Sequence, residues 1–311
     1  MENISYYKMF SLSKPKASVA LKHIFFALSL ILYVLIIIVN FMLIVIILLE
    51  KTLHKPMYIF LCNLCINGLY GTAGFYPKFL FDLFSDSFEI SYSACFLQAF
   101  VIYSSALCEL ATLTVMAYDR YIAICRPLNY HSIMTNTLIV KLLLFSWIFP
   151  AFSYGGALLI TNTMSLCGSH IDKFYCDNLL IMKLSCKSTD THKSYGLICT
   201  VIYVLMVLFI IYSYCTLISS CRKCAESKNK FKQTCVPHLL SLVNFTFALL
   251  FDTMYSRYGS RDFSQDLYNI LTLEFLVIPP VLNPIIYGLK LTEVRKRALR
   301  VFINVKVTDS K

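Results

Sequence analysis

Charge is what this chain has least of. Asp, Glu, Lys and Arg make up 14% of its 311 residues while 58% are hydrophobic, so length is no guide to a number of soluble domains. Such a composition belongs to an integral membrane protein. Other absences narrow the function. No grouping of His, Cys, Asp and Glu has metal-ligand spacing and no nucleophile motif is found, which argues against an enzyme and implies no cofactor. Residues 267–289 contain no lysine, so a retinal Schiff base in the last apolar segment is excluded. Inverted repeats and paired broken helices, which a secondary transporter would show, are missing as well. A seven-helix transporter or pump that relays protons through buried acids such as Glu109 and Glu274 is the competing class. The first 22 residues are polar and lysine-bearing, unlike a cleaved signal, so the first apolar run should itself direct insertion.

What the chain does have is apolar runs. A hydrocarbon core about 30 Å thick needs roughly 20 apolar residues per spanning helix. Seven such segments fit, at about residues 24–49, 57–81, 95–118, 138–161, 194–219, 236–256 and 267–289. The expected fold is therefore all-α and integral to the membrane: one seven-helix bundle over residues 24–289, a tail at 1–23 and a second tail at 290–311. The net charge of +11 suggests nucleic acid only until the charges are placed. With the amino terminus outside, most of the 28 basic residues fall on the inner side: Lys51, Lys55, Arg120, Arg126, Lys141, the 222–232 connection and everything from Lys290 onward. That is the positive-inside pattern, and no nucleic-acid partner is expected. Lys8, Lys14, Lys16 and Lys22 are a local exception.

Thirteen cysteines need two explanations. Several lie in apolar segments, where a thiol acts as a small hydrophobe. Cys95, Cys167, Cys176 and Cys186 fall outside, in an oxidising compartment, and four cysteines allow three pairings. Asn3-Ile4-Ser5 on the outer tail is a glycosylation sequon, whereas Asn244-Phe245-Thr246 lies within a span and should stay unmodified.

Residues 116–130, MAYDRYIAICRPLNY, close the third span with adjacent Asp119 and Arg120, whose charges can pair at the lipid boundary. This string resembles the third-helix exit of olfactory receptors, within the rhodopsin-like G-protein-coupled receptors. Pro56-Met57-Tyr58 resembles that family's second-helix entrance, and Ser213-Tyr214 its fifth-helix pair. Lys230-Phe231 with Thr234-Cys235-Val236-Pro237-His238-Leu239 resembles its sixth-helix entrance, and Pro280-Val281-Leu282-Asn283-Pro284-Ile285-Ile286-Tyr287 contains the superfamily's Asn-Pro-x-x-Tyr element. The resemblance implies an odorant-sensing receptor that binds a small molecule and activates a heterotrimeric stimulatory, olfactory-type G protein. Asp119, Arg120, Tyr121, Tyr214, Asn283, Pro284 and Tyr287 would form the switch, with Tyr214 placed near Arg120. It also implies the disulfides Cys95–Cys176 and Cys167–Cys186, and a plasma-membrane protein with its amino terminus outside.

The sequence departs from the family in three places. Gly68 stands where the second helix usually carries aspartate, Pro237 replaces a serine, and Phe245-Thr246-Phe247-Ala248 replaces the aromatic and glycine motif of the sixth helix. The first departure bears on Glu109, eleven residues before Arg120 and so about 16 Å into the membrane. In the family the acids of the second and third helices are thought to share sodium. Here Glu109 is expected either to be protonated or to hold a cation with Asn67 and Asn283.

Candidate ligand contacts are Ile102, Tyr103, Ala106 and Leu107 on the third helix, Ile198 and Ile202 on the fifth, Leu249, Leu250, Thr253 and Arg257 on the sixth, and Leu273 on the seventh. No carboxylate lies near Ile102, which disfavours an amine, while Arg257 offers a guanidinium to an acidic ligand. Trp147 and Pro150 read as packing and kink residues of the fourth helix. The basic 222–232 connection and the amphipathic stretch 291–302 suit contact with membrane lipid.

Overall fold

The computed structural model describes residues 9–15, 18–186, 190–221, 236, 238–249, 251–252, 271 and 273–290. Seven bundle helices lie within them: α1 (Val19–Leu49), α2 (Pro56–Ser85), α3 (Tyr92–Cys125), α4 (Asn136–Asn162), α5 (Asp190–Cys221), α6 (His238–Leu249) and α7 (Glu274–Lys290). Four of them, α1, α3, α4 and α5, are long and apolar enough among the described residues to cross a membrane; α6 and α7 are shorter apolar helices. The sequon at Asn3, the 222–232 connection and the 291–302 stretch lie outside the described residues.

Several helices start before the hydrocarbon boundary that hydropathy marks, because a polar cap satisfies their first amides. Ser18, Ser91 and Thr135 each accept a hydrogen bond from the backbone N–H three residues on, and Pro56 opens α2, where its missing N–H costs nothing. Thus α1 begins at Val19 and α3 runs from Tyr92 to Cys125, several residues beyond each end of the apolar segment.

Helix α3 is the hub. In its most apolar window 72% of residues are buried, against 11% in α5, whose outward face carries Leu197, Val201, Val204, Leu205, Leu208 and Tyr212. An exposed surface this apolar is stable only against lipid. Close approach of α2 to α3 depends on glycine: a Cβ on Gly71 would sit 2.0 Å from Ser105 Oγ and 2.9 Å from Ser105 Cβ.

The amino-terminal segment is more than a tail. Met9–Leu12 forms β1, the middle strand of a three-stranded sheet at the end of the bundle that the charge pattern assigns to the outside. It pairs antiparallel with β2 (Glu89–Ser91), Phe10 opposite Ile90, and parallel with β3 (His170–Ile171) of the second outer loop, Leu12 opposite Ile171. Phe10 and Leu12 are buried beneath it, Phe10 stacking on Tyr92 at 5.6 Å. Of the three pairings open to the outer cysteines, the structure makes Cys95–Cys176, Cα atoms 5.4 Å apart, and Cys167–Cys186, at 5.1 Å. The first ties the loop to α3, and the second closes the loop on itself.

Candidate functional site

The inner rim is built on Asp119. Arg120 Nε donates to Asp119 Oδ2 at 2.8 Å and its Nη2 to the same oxygen, while Tyr130 Oη donates to Oδ1 at 2.7 Å. The carboxylate is fully buried and Arg120 nearly so. Both carboxylate oxygens therefore accept hydrogen bonds, as a buried acid–arginine pair requires. Tyr130 reaches it because α3 ends at Cys125, capped by Arg126, and the turn over Pro127–Asn129 folds the chain back. Tyr121 lies beside the pair, half-buried.

Next to this rim a buried histidine joins three helices. His238 of α6 meets Tyr214 Oη of α5 through Nδ1 and the Leu113 carbonyl of α3 through Nε2 at 3.0 Å. A carbonyl only accepts, so Nε2 carries the proton, and in the neutral ring Nδ1 accepts from the Tyr214 hydroxyl. The resemblance places that phenol near Arg120, and in the structure it bonds His238 beside that rim. Within the 234–239 string His238 has no assigned role, and its only sequence signal is polarity at the entrance of an apolar helix.

Midway along the bundle, Asn283 Nδ2 donates to Glu109 Oε1 at 2.8 Å, and Asn67 Nδ2 donates to the Ser105 carbonyl at 2.9 Å. Among the described residues, Asn67 Oδ1 and Asn283 Oδ1 are buried with no hydrogen-bond partner. Asn40 has a separate task. Pro284 has no N–H to offer the Pro280 carbonyl four residues back, and Asn40 Nδ2 donates to that carbonyl at 2.8 Å. A Cβ on Gly68 would lie 3.5 Å from both Asn40 Oδ1 and Pro280 Cβ, so Gly68 faces this joint. Tyr287 is fully buried. Trp147 does more than pack: Nε1 donates to Asn63 Oδ1 at 2.6 Å, and Asn63 Nδ2 donates to Thr112 Oγ1 at 3.0 Å.

The outer mouth holds a buried charge cluster. Lys173, from the second outer loop, donates to Asp177 Oδ2 at 2.6 Å, to Asp252 Oδ1 of the sixth helix at 2.6 Å and to Tyr103 Oη at 3.2 Å. Tyr103 Oη in turn donates to Asp252 Oδ2 at 3.0 Å, and Tyr175 Oη to Asp252 Oδ1 at 3.2 Å. Burial alone would push the Asp177 carboxyl up, yet the adjacent Lys173 ammonium and the Leu179 amide hold it below the ordinary carboxylate range.

Of the candidate ligand contacts, Tyr103 joins this cluster. Ile102 is buried against Gly74 of α2, Ala106 is buried and Leu107, Leu249 and Leu273 are half-buried. Leu250, Thr253 and Arg257 lie outside the described residues. Ile198 and Ile202 require correction: they are 61% and 37% exposed, on the outward surface of α5. Residues four apart drift by about 40° per step, so the ladder buried at Ile210 and Tyr214 has turned outward by Ile198. An amine is not disfavoured either, because Asp252 of the sixth helix brings to Tyr103 the carboxylate that the third helix lacks.

A helical bundle of this topology, with an acid–arginine pair at one rim and a loop disulfide at the other, has the rhodopsin-like fold: squid rhodopsin superposes with a TM-score of 0.72 at 14% identity, over 95% of this chain and 91% of that one. Sequence carries the comparison further. The olfactory receptor family profile matches residues 28–305. Olfactory receptor 4E1 of Homo sapiens is 34% identical over 97% of this chain and 94% of its own length, and Olfactory receptor 1496 of Rattus norvegicus 31% over 92% and 93%. The chain belongs to the olfactory receptor family. It is an odorant-sensing G-protein-coupled receptor of the plasma membrane, crossing it several times, and not an enzyme; nothing in these comparisons favours a transporter.

Proposed function

We propose that a small-molecule agonist binds between the outer halves of the third, sixth and seventh helices beneath the second outer loop, and that the inner rim then opens to a stimulatory, olfactory-type G protein. The observation that carries this reading is the closed inner rim. Asp119 is held by Arg120 and Tyr130, and His238 ties α5 and α6 to the Leu113 carbonyl, so an outward swing of the sixth helix has hydrogen bonds to break. An agonist shifts the population toward the open state only by binding that state better. Arg120 and Tyr214, released from these partners, would line the docking surface. Asn283, Pro284 and Tyr287 supply the weak point in α7, where Asn40 takes over the carbonyl that Pro284 frees.

Three subordinate proposals go with it. The amino terminus faces outside, supported by the strand lid and by disulfides on that face. The 222–232 and 291–302 stretches meet membrane lipid, supported by their basic charge. Glu109 with the unpartnered oxygens of Asn67 and Asn283 is a donor set that fits a small hard cation such as sodium. An agonist response insensitive to sodium, together with full activity of Glu109→Gln, would remove that last idea.

The test of the main proposal is cyclic AMP in cells expressing the full chain. Ligand-evoked cyclic AMP that is lost in Arg120→Ala supports it. Substrate flux without any G protein, or an unaltered nucleotide exchange in Arg120→Ala, would sink it.

A further inference from the structure

A groove of about 480 Å³ opens between α2 and α3 at the lid end of the bundle, on the surface where Ala73, Ala94 and Leu97 are exposed. Its floor is Gly74 lying on Val101, and a Cβ on Gly74 would sit 2.7 Å from Val101 Cγ1. From Lys78 down to Tyr70 the groove follows α2 for about 12 Å. The polar groups along this lower part are engaged within the protein. Tyr70 Oη shares a hydrogen bond with Ser104 Oγ at 3.1 Å, while Gln98 donates from Nε2 to the Gly74 carbonyl at 3.1 Å and accepts from the Cys176 amide at 3.0 Å. What the lower groove presents is therefore hydrocarbon. Its upper end is charged, lined by Lys78 of α2 with Glu89 and Ser91 of β2. Lys78 pairs with Asp82, whose carboxylate is 0% exposed, so the ammonium is held in place beside the groove. Glu89 is exposed and has no ion-pair partner among the described residues.

We propose that this groove binds one zwitterionic phospholipid, with the phosphate on Lys78 and Ser91, the headgroup ammonium on Glu89 and the upper part of an acyl chain over Gly74 and Val101. The assignment is independent of the receptor reading above. Charge complementarity selects the headgroup. Lys78 and Asp82 neutralise each other and Glu89 adds a negative charge, so a phosphate drawn to the Lys78 ammonium needs a cation alongside it. A choline or ethanolamine nitrogen in the same headgroup brings that cation to Glu89. An anionic phospholipid lacks it, and the single hydroxyl of a sterol answers neither charge. Depth agrees with the assignment. Lys78 lies three residues inside the end of the apolar segment 57–81, where a lysine stem runs along apolar surface and its ammonium reaches the headgroups. Because Asp82 already orders Lys78, less freedom is lost when the phosphate arrives. Seated there, the lipid bridges α2, α3 and the strand β2 of the lid.

The test uses the purified full-length protein in detergent, incubated with equal concentrations of phosphatidylcholine, phosphatidylglycerol and cholesterol and weighed intact by native mass spectrometry. One phosphatidylcholine should stay bound in preference to the other two, and it should raise the melting temperature. Glu89→Gln should lower the preference for phosphatidylcholine over phosphatidylglycerol about two- to fivefold, the worth of an exposed ion pair. Ala94→Phe, which fills the groove from a lipid-facing position, should melt as the lipid-free parent does and lose the bound lipid. Equal retention of the two phospholipids, retention of the sterol in their place, or a preference unaltered in Glu89→Gln overturns the proposal. So does a phosphatidylcholine still held by a folded Ala94→Phe. If Ala94→Phe does not fold, Glu89→Gln decides alone, since its side chain is exposed and its loss leaves no buried group unpaired. None of these measurements needs an agonist or a G protein, so failure of the receptor reading leaves them intact.

Discussion

Asn40 and Pro284 should be energetically coupled although 244 positions separate them in sequence. Pro284 leaves the Pro280 carbonyl without its intrahelical donor, and Asn40 Nδ2 supplies one at 2.8 Å from α1. The same amide nitrogen also reaches the Ile36 carbonyl at 2.8 Å, but that oxygen has its helical partner in the Asn40 backbone amide. Asn40→Ala therefore orphans one buried carbonyl. Such a loss costs about 1–3 kcal/mol in soluble proteins, while interhelical hydrogen bonds in membranes average about 0.6 kcal/mol. Because the freed carbonyl is 1,4 to a proline and has no alternative donor in its own helix, a value of about 1–2 kcal/mol is expected. Pro284→Ala restores an N–H at position 284. In that background the Asn40→Ala change should cost no more than about 0.5 kcal/mol, so the cycle should show a coupling of about 1 kcal/mol. Thermal unfolding of the detergent-solubilised receptor and its three variants gives the four corners. Equal cost of Asn40→Ala with and without the proline would refute the reasoning.

Three further outcomes are expected. Gly71→Ala overlaps Ser105 Cβ and should destabilise by about 1–3 kcal/mol, whereas Gly68→Ala, with its nearest neighbours at 3.5 Å, should fold almost as the parent does; melting temperatures compare them. Tyr130→Phe removes one donor from Asp119 and should loosen the closed rim, raising basal nucleotide exchange several-fold by an effect of about 1 kcal/mol; an unaltered basal rate would show that Tyr130 takes no part. Asp177 has a folded pKa below its unfolded value of about 3.9. Its contribution to stability is thus fully present above that pH and is lost as the pH falls through the lower folded value. Acid titration of melting temperature between about pH 5 and 2.5 should show a loss that is smaller in Asp177→Asn.

Sequence alone determined what the membrane itself enforces. Spanning length, a bias of basic residues to one side and a local acid–arginine pair are properties of contiguous residues, so runs, counts and strings reveal them. That is why the bundle, the Asp119–Arg120 rim and the likeness to olfactory receptors were legible before any coordinate. What depends on helix rotation was not. Helix α5 is apolar on every side, so nothing in its periodicity said that Ile210 and Tyr214 face inward while Ile198 faces lipid. Residues remote in sequence met only on folding: Met9–Leu12 as the middle strand of the lid, His238 against the Leu113 carbonyl, Asn40 against Pro280, and Lys173 between Asp177 and Asp252. Each of these is a polar group buried where lipid and packing exclude water, and its partner is whichever complementary group the tertiary fold brings within 3 Å or so, a distance that no spacing along the chain encodes.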